Sequence, residues 1–277
     1  MACGALADVV GADRVAATRA NTTIMIERLS TETMVKKTTG KSGSGGGVTK
    51  TSLSGGVRQL RTNVKTAHKR SASSARWLDR QLNDPYVTAA KREGYRSRAA
   101  YKLKEIDARY HVLKSGQRVI DLGAAPGGWS QIAATTCKSL EGKGQVIAID
   151  YLGVEAIPGV DILELDFTDE TAEPLLKSKL RDGRADLVLS DMAAPTIGHT
   201  NTDHLRIMAL AELAAHFAID VLAPGGAFLC KVFQGGTERD LLDLLKTNFA
   251  VVRHVKPPAS RSDSAELYVL ATGFRGT

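Results

Sequence analysis

The sequence predicts an α/β architecture: a mainly parallel sheet of seven strands, helices on both faces, and a last strand that runs antiparallel. Two observations carry this. From residue 118 onward, short apolar segments alternate with helical stretches, the pattern of a parallel sheet whose crossovers are helices. The final two apolar segments are separated by only about a dozen residues including Pro257 and Pro258, too few for a helical crossover, so they form an antiparallel pair.

The elements can be taken in chain order. A chain of 277 residues with 43% hydrophobic content supports one good core and does not require two full domains. Residues 1–68 read as a basic, Gly/Ser-rich N-terminal extension and 69–277 as the catalytic domain with basic helices at its start. Within the extension, residues 1–33 differ in composition from the stretch after them, and Met34 opens a basic segment that resembles a natural start. Residues 38–56 contain almost no large apolar side chains, cannot offset the entropy of ordering, and are expected to be disordered. Their SGSGGG is not a phosphate loop, because no strand precedes it and no GK[ST] completes it. Ser73 or Ser74 is expected to cap a helix running through Trp77, Leu78 and Leu82; Asp84-Pro85 restarts a helix with Pro in its first turn, and a second helical run covers 95–110. Strands are expected at 118–123, 145–150, 161–166, 185–191, 226–233, 250–255 and 266–272. Helices are expected from 128 and at 169–181, 203–222 and 238–247.

The net charge of +7 hides an asymmetry. Residues 34–104 hold 17 Lys and Arg against 3 Asp and Glu, whereas residues 105–277 hold 17 against 23. A basic segment ahead of a mildly acidic domain suits a polyanionic partner, since phosphate neutralisation supplies affinity and steers encounter. Three cysteines without metal-ligand spacing support neither a disulfide framework nor a zinc site, and nothing in the sequence calls for a metal; a reducing, cytoplasmic setting is expected. No apolar run approaches the roughly 18 residues a membrane helix needs, and no export signal is evident.

In open α/β sheets ligands bind beyond the carboxyl ends of the strands, so Asp121, Asp150, Asp166 and Asp191, each closing an expected strand, should face one crevice. Gly123, Gly127 and Gly128 allow a tight turn and close backbone approach before the next helix. GAAPGG is nevertheless not GxGxxG, and no pyrophosphate cradle is present. Asp150, about 20 to 30 residues past the glycine turn, suits a nucleoside ribose. Lys231 lies inside the apolar FLCKVF, so its ammonium must emerge at the strand end or be desolvated. A desolvated lysine near a second cation is available as a neutral amine base; Lys102 can be that cation, and Asp191 and Glu266 can orient both amines.

These stretches resemble the FtsJ/RrmJ (RlmE) family of ribosomal RNA 2'-O-ribose methyltransferases. The matching segments are KRSASSARWL (69–78), GYRSRAAYKLKEID (94–107), DLGAAPGGWSQ (121–131), LSDMA (189–193), VLAPGG (221–226), KVFQG (231–235) and SAELYVLATG (264–273), covering about residues 69–275. The resemblance implies a Rossmann-like S-adenosylmethionine-dependent methyltransferase fold and methylation of a uridine ribose in 23S ribosomal RNA within an assembled large subunit, by a cytoplasmic monomer. It places the catalytic tetrad on Lys102, Asp191, Lys231 and Glu266, with Lys231 as proton acceptor, and the S-adenosylmethionine contacts on Gly127, Trp129, Asp150, Asp166 and Asp191. The sequence departs from the family at Ala194-Pro195, where DMAPN is usual, and at Ala265, where the final strand usually carries arginine.

Lys69, Arg70, Lys91, Arg92, Arg96 and Arg98, interleaved with Trp77, Tyr95 and Tyr101, form the expected RNA-facing set. The six histidines show no catalytic or ligand grouping, and His199 and His204 are expected in loop roles. Competing readings are a nicotinamide-dependent oxidoreductase, disfavoured by the missing GxGxxG and the two lysines; a base-amine methyltransferase, disfavoured because SDMAAP is not an NPPY-type loop; a methyltransferase for another RNA hydroxyl; and a non-catalytic RNA-binding or ribosome-assembly factor, disfavoured by the intact tetrad.

Overall fold

In the computed structural model, Ser71, just ahead of the expected Ser73 or Ser74, caps the first described helix. The structure describes residues 71–195, 198–235 and 239–276, all within one compact unit, Arg61–Thr277; Lys69, Arg70 and the expected 1–68 extension lie outside the described residues. Ser71 has the extended backbone a cap needs (φ −61°, ψ 152°), and its Oγ accepts the Ser74 N–H at 3.3 Å, which places Ser73 and Ser74 inside the first turn of α1 (Ala72–Leu82). Asp84 caps α2 (Pro85–Glu93), accepting from the Tyr86 N–H at 3.0 Å, with Pro85 at the first helical position and Gly94 (φ 77°) ending it. The third helix, α3 (Ala99–Tyr110), begins later than the expected residue 95. The intervening stretch is held instead by one side chain: Gln131 Oε1 accepts the Arg96 N–H at 2.9 Å, and Gln131 Nε2 donates to the Gly94 carbonyl at 3.0 Å.

The alternating segments fold as β1 (Arg118–Leu122), α4 (Gly128–Cys137), β2 (Gln145–Asp150), β3 (Val160–Glu164), α5 (Ala172–Lys179), β4 (Ala185–Ser190), α6 (Thr200–Val221), β5 (Leu222–Phe233), α7 (Arg239–Asn248), β6 (Phe249–Val255) and β7 (Glu266–Phe274). The sheet order is β3-β2-β1-β4-β5-β7-β6. Pairings from β3 through β5 are parallel, and β7 is inserted between β5 and β6, antiparallel to both. β3 ends earlier than expected, leaving Asp166 in the following turn, and β5 begins at Leu222, where Ala185 pairs with it across a register shift.

Period-two alternation distributes the strands' apolar residues onto two faces. Val119, Val146, Leu187, Leu189, Leu229 and Leu270 pack with Leu103, Ile106, Trp129 and Ile132 of α3 and α4. Ile120, Ile147, Val188, Phe228 and Val269 pack with Leu176, Phe217 and Leu245 of α5, α6 and α7. Lys231 shares the parity of Leu229, and Tyr268 that of Leu270, so both belong to the α3/α4 face. Among the described residues, no helix is long and apolar enough to cross a membrane.

Candidate active site

The carboxyl ends of β1, β2 and β4 open onto a cavity of about 570 Å³ lined by Gly123, Asp150, Asp166, Asp191 and Met192, with Leu210 and Leu213 of α6 opposite. Three of the four strand-end acids reach it; Asp121 does not. Asp121 is fully buried, one oxygen accepting the Ser130 hydroxyl at 2.6 Å and the other without a hydrogen-bond partner. Burial pushes its pKa up to about 7, and the charges of Asp191 and Asp150 add to the rise, against the opposing effect of Ser130.

The glycine turn is built for close approach. Gly123 and Ala124 both donate to the Ile149 carbonyl, at 3.0 and 3.2 Å. At Gly123 (φ 75°) a Cβ would lie 2.7–2.8 Å from Met192, including its backbone, so only glycine lets this turn meet the segment after β4. The Asp150 carboxylate is oriented by backbone donors at both oxygens, Ala125 N–H at 2.9 Å and Leu152 N–H at 2.8 Å. Burial nonetheless raises its pKa above the usual carboxylate value. Asp166 accepts from the Thr168 N–H and hydroxyl at 2.9 and 2.8 Å.

Gly127 and Trp129 lie outside the cavity wall. The Trp129 indole turns into the core, donating to the Ala99 carbonyl at 2.8 Å, and Gly127 is covered by Ile157 and the Arg96 side chain.

The four tetrad residues stand as two ion pairs. Lys102 Nζ meets Glu266 Oε2 at 2.7 Å; Lys231 Nζ donates to the Asp191 carbonyl at 2.6 Å and lies 3.2 Å from Asp191 Oδ1. Only 6% of Lys231 is exposed. Tyr268 joins the pairs. Its hydroxyl donates to Asp191 Oδ1 at 2.9 Å, its ring lies 5.7 Å from Lys102 Nζ, and the Trp129 ring packs against it at 5.6 Å. Burial would raise the Asp191 pKa, but Lys231, Lys102 and the Tyr268 hydroxyl outweigh it and hold the carboxyl below its usual value. Burial, then Asp191 and Glu266, drive the Tyr268 phenol well above its usual range, so it remains a donor. Ser260 fixes the other Glu266 oxygen at 2.6 Å.

Tyr268 and Ser260 were not singled out in the sequence. Period two offered a signal for Tyr268, two residues from Glu266 on one strand and therefore on the same face; Ser260 sits in an irregular connection that offered none.

The expected RNA-facing residues divide. Lys91 and Arg92 are exposed on α2. The half-buried Arg96 donates to the protein's own backbone, at the carbonyls of Pro126 (3.3 Å), Glu155 (2.7 Å) and Ala156 (2.8 Å). Arg98 pairs with Asp84 at 3.1 Å and donates to the Ala259 carbonyl at 2.5 Å. Tyr95 and Tyr101 pack edge to face, with Lys104 over both rings. Among the described residues, no group of three or more His, Cys, Asp or Glu is placed to hold a metal.

Comparison with known proteins adds to this geometry. Residues 95–274 match the model of an FtsJ-like methyltransferase. A protein of Parvibaculum lavamentivorans named ribosomal RNA large subunit methyltransferase E is 62% identical over 247 residues, covering 87% of this chain and 94% of that protein. The protein of the same name from Paramagnetospirillum magneticum is 57% identical over 241 residues, 86% of this chain and 98% of its own length. Among solved structures, a protein of Plasmodium falciparum assigned as a ribosomal RNA methyltransferase superposes with a TM-score of 0.59 at 32% identity, covering 66% of this chain and all of that one.

Proposed function

Because this chain belongs to the FtsJ-like methyltransferase family, we propose that it transfers a methyl group from S-adenosylmethionine to the 2'-hydroxyl of a uridine ribose in 23S ribosomal RNA, in the assembled large subunit. The observation that carries this reading is the convergence of Lys102–Glu266 and Lys231–Asp191, through Tyr268, at the edge of a cavity walled by three acids. The 570 Å³ cavity, with carboxylates at its rim and apolar Ile149, Leu152, Phe167 and Leu210 between them, suits a nucleoside carrying an amino-acid arm. Asp150, held rigid by two backbone donors, accepts ribose hydroxyls of the donor; Asp166 and Asp191 complete the acidic rim.

When bound, S-adenosylmethionine supplies a methyl on a sulfonium, which leaves as a neutral thioether as the C–O bond forms. Lys231 receives the proton of the 2'-hydroxyl at Nζ, and the cation of Lys102 stabilises the oxyanion that develops. Asp191 and Glu266 fix the two amines by charge-assisted hydrogen bonds, and Tyr268 sets the Asp191 rotamer. The exposed Lys91 and Arg92, with Lys69 and Arg70, supply phosphate contacts. The enzyme acts in the cytoplasm as a monomer.

Labelled-methyl transfer to large subunits lacking their ribose methylations tests this. Wild type should place label at a 2'-oxygen, and Lys231→Ala should lower turnover by roughly 10²–10⁴-fold with donor affinity kept. Near wild-type turnover in the mutant rules out Lys231 as base, and label on a base nitrogen rules out the reaction.

A further inference from the structure

Beside the tetrad, on the side of Lys102 and Glu266, lies a second cavity of about 290 Å³ lined by Arg80, Arg98, Lys102, Arg261, Ser264 and Glu266, with Asp263 also on its wall. It shares no lining residue with the larger cavity. Arg80, Arg98 and Arg261 have no part in the chemistry proposed above.

The cavity is built, not incidental. Asp84, 8% exposed, uses one oxygen to cap α2 and the other to hold two guanidinium groups, Arg98 Nε at 3.1 Å and Arg261 Nη2 at 3.5 Å. One carboxylate shared by two cations leaves a net positive charge and fixes both side chains while donors remain open. Arg80 adds a third guanidinium from α1, exposed and without an ion pair among the described residues. Lys102 is paired with Glu266. Of the acids lining the cavity, only Asp263 is exposed; it lies in the connection before β7.

We propose that this cavity receives the phosphodiester on the 3' side of the target nucleotide. The inference rests on the 2'-hydroxyl reading above. In RNA the 3'-phosphate is borne by the carbon adjacent to the one carrying the 2'-hydroxyl, so a ribose presented to Lys231 and Lys102 has that phosphate beside it. Lys102 lines the arginine cavity, which shares no wall residue with the cavity assigned to the donor. Guanidinium groups fixed by a buried carboxylate match phosphate oxygens, and the contact positions the ribose without reading the base. A ribose lacking that phosphate, such as a 3'-terminal one, lacks this anchor.

The test is steady-state methylation and donor-free binding of undermethylated large subunits by wild type, Arg80→Gln and Arg261→Gln at several salt concentrations. Arg80→Gln is a surface change that leaves the Asp84 cluster intact, so it reads the site even where Arg261→Gln disturbs folding. Each variant should raise KM for the subunit about tenfold and reduce the salt slope of binding by about one, with KM for S-adenosylmethionine unchanged. An unaltered subunit KM and salt slope in Arg80→Gln, with 2'-O-methylation intact in wild type, overturns the phosphate site alone. Absence of 2'-O-methylation in wild type overturns the functional reading, and this inference with it.

Discussion

The two sides of the proposed site, for donor and for acceptor, are made differently. The donor side is local and largely backbone: β1, one turn and the ends of two neighbouring strands, with Asp150 held by main-chain N–H groups and Gly123 excluding any side chain. The proposed acceptor side is a set of long-range side-chain contacts, the ion pair of Lys102 with Glu266 across 164 residues of sequence and the hydrogen bond from Arg98 to the Ala259 carbonyl across 161. Backbone geometry suits a donor of fixed shape, because it costs nothing to hold once the strands pair. Paired side chains suit a polyanion, because cationic donors held by a carboxylate can meet phosphate oxygens.

Substitutions on each side can break this distinction. The largest effect is expected for Gly123→Ala. Its Cβ meets Met192 backbone atoms at 2.8 Å and its φ is positive, so the turn must shift. Donor affinity by calorimetry should fall at least tenfold and the melting temperature should drop; retention of both would mean that the turn is not rigid. A smaller effect is expected for Tyr268→Phe, which removes one hydrogen bond to Asp191. Turnover should fall roughly tenfold, equivalent to about 1–1.5 kcal/mol, with donor affinity kept. Weakened donor binding in this variant would place Tyr268 on the donor side instead.

The smallest effect concerns pH. Asp121 has a folded pKa of about 7 against an ordinary 3.8, so the folded state holds the extra proton between those values and stability declines as pH rises through that window. Asp121→Asn should flatten this decline in chemical denaturation series at pH 4 to 8. A wild-type curve that rises with pH over the same interval, with no difference in the variant, would show that Asp121 is ionised in the fold.

The same contrast explains what the sequence revealed. The sheet, its antiparallel ending and the donor turn were legible because they rest on contiguous patterns: apolar runs, strand-end acids and glycines within a dozen residues. Lys231 stood out because it is anomalous in its apolar segment, whereas Lys102 is one basic residue among several and drew notice through Lys231 and the family resemblance. Ser260, Arg261 and the guanidinium contacts of Asp84 were not legible, because they depend on an irregular connection folding back onto α2 and α3, which no periodicity encodes. Arg96 shows the converse. A basic run suggested RNA contact, and the guanidinium is seen donating to the carbonyls of Pro126, Glu155 and Ala156, contacts that no local pattern announces.

The antiparallel insertion of β7 has a consequence for how such a chain tolerates insertions and deletions. Glu266 and Tyr268 face α3 and α4, while Leu267 and Val269 pack toward the opposite core. A one-residue deletion within this strand turns the residues on one side of it to the opposite face and shifts their pairing by one, so deleting Leu267 leaves Glu266 and Tyr268 adjacent and no longer on one face. Length variation among descendants should therefore accumulate in the connection before Ser264 and stop at the strand, because there a lesion can disable the catalyst while leaving most of the fold in place.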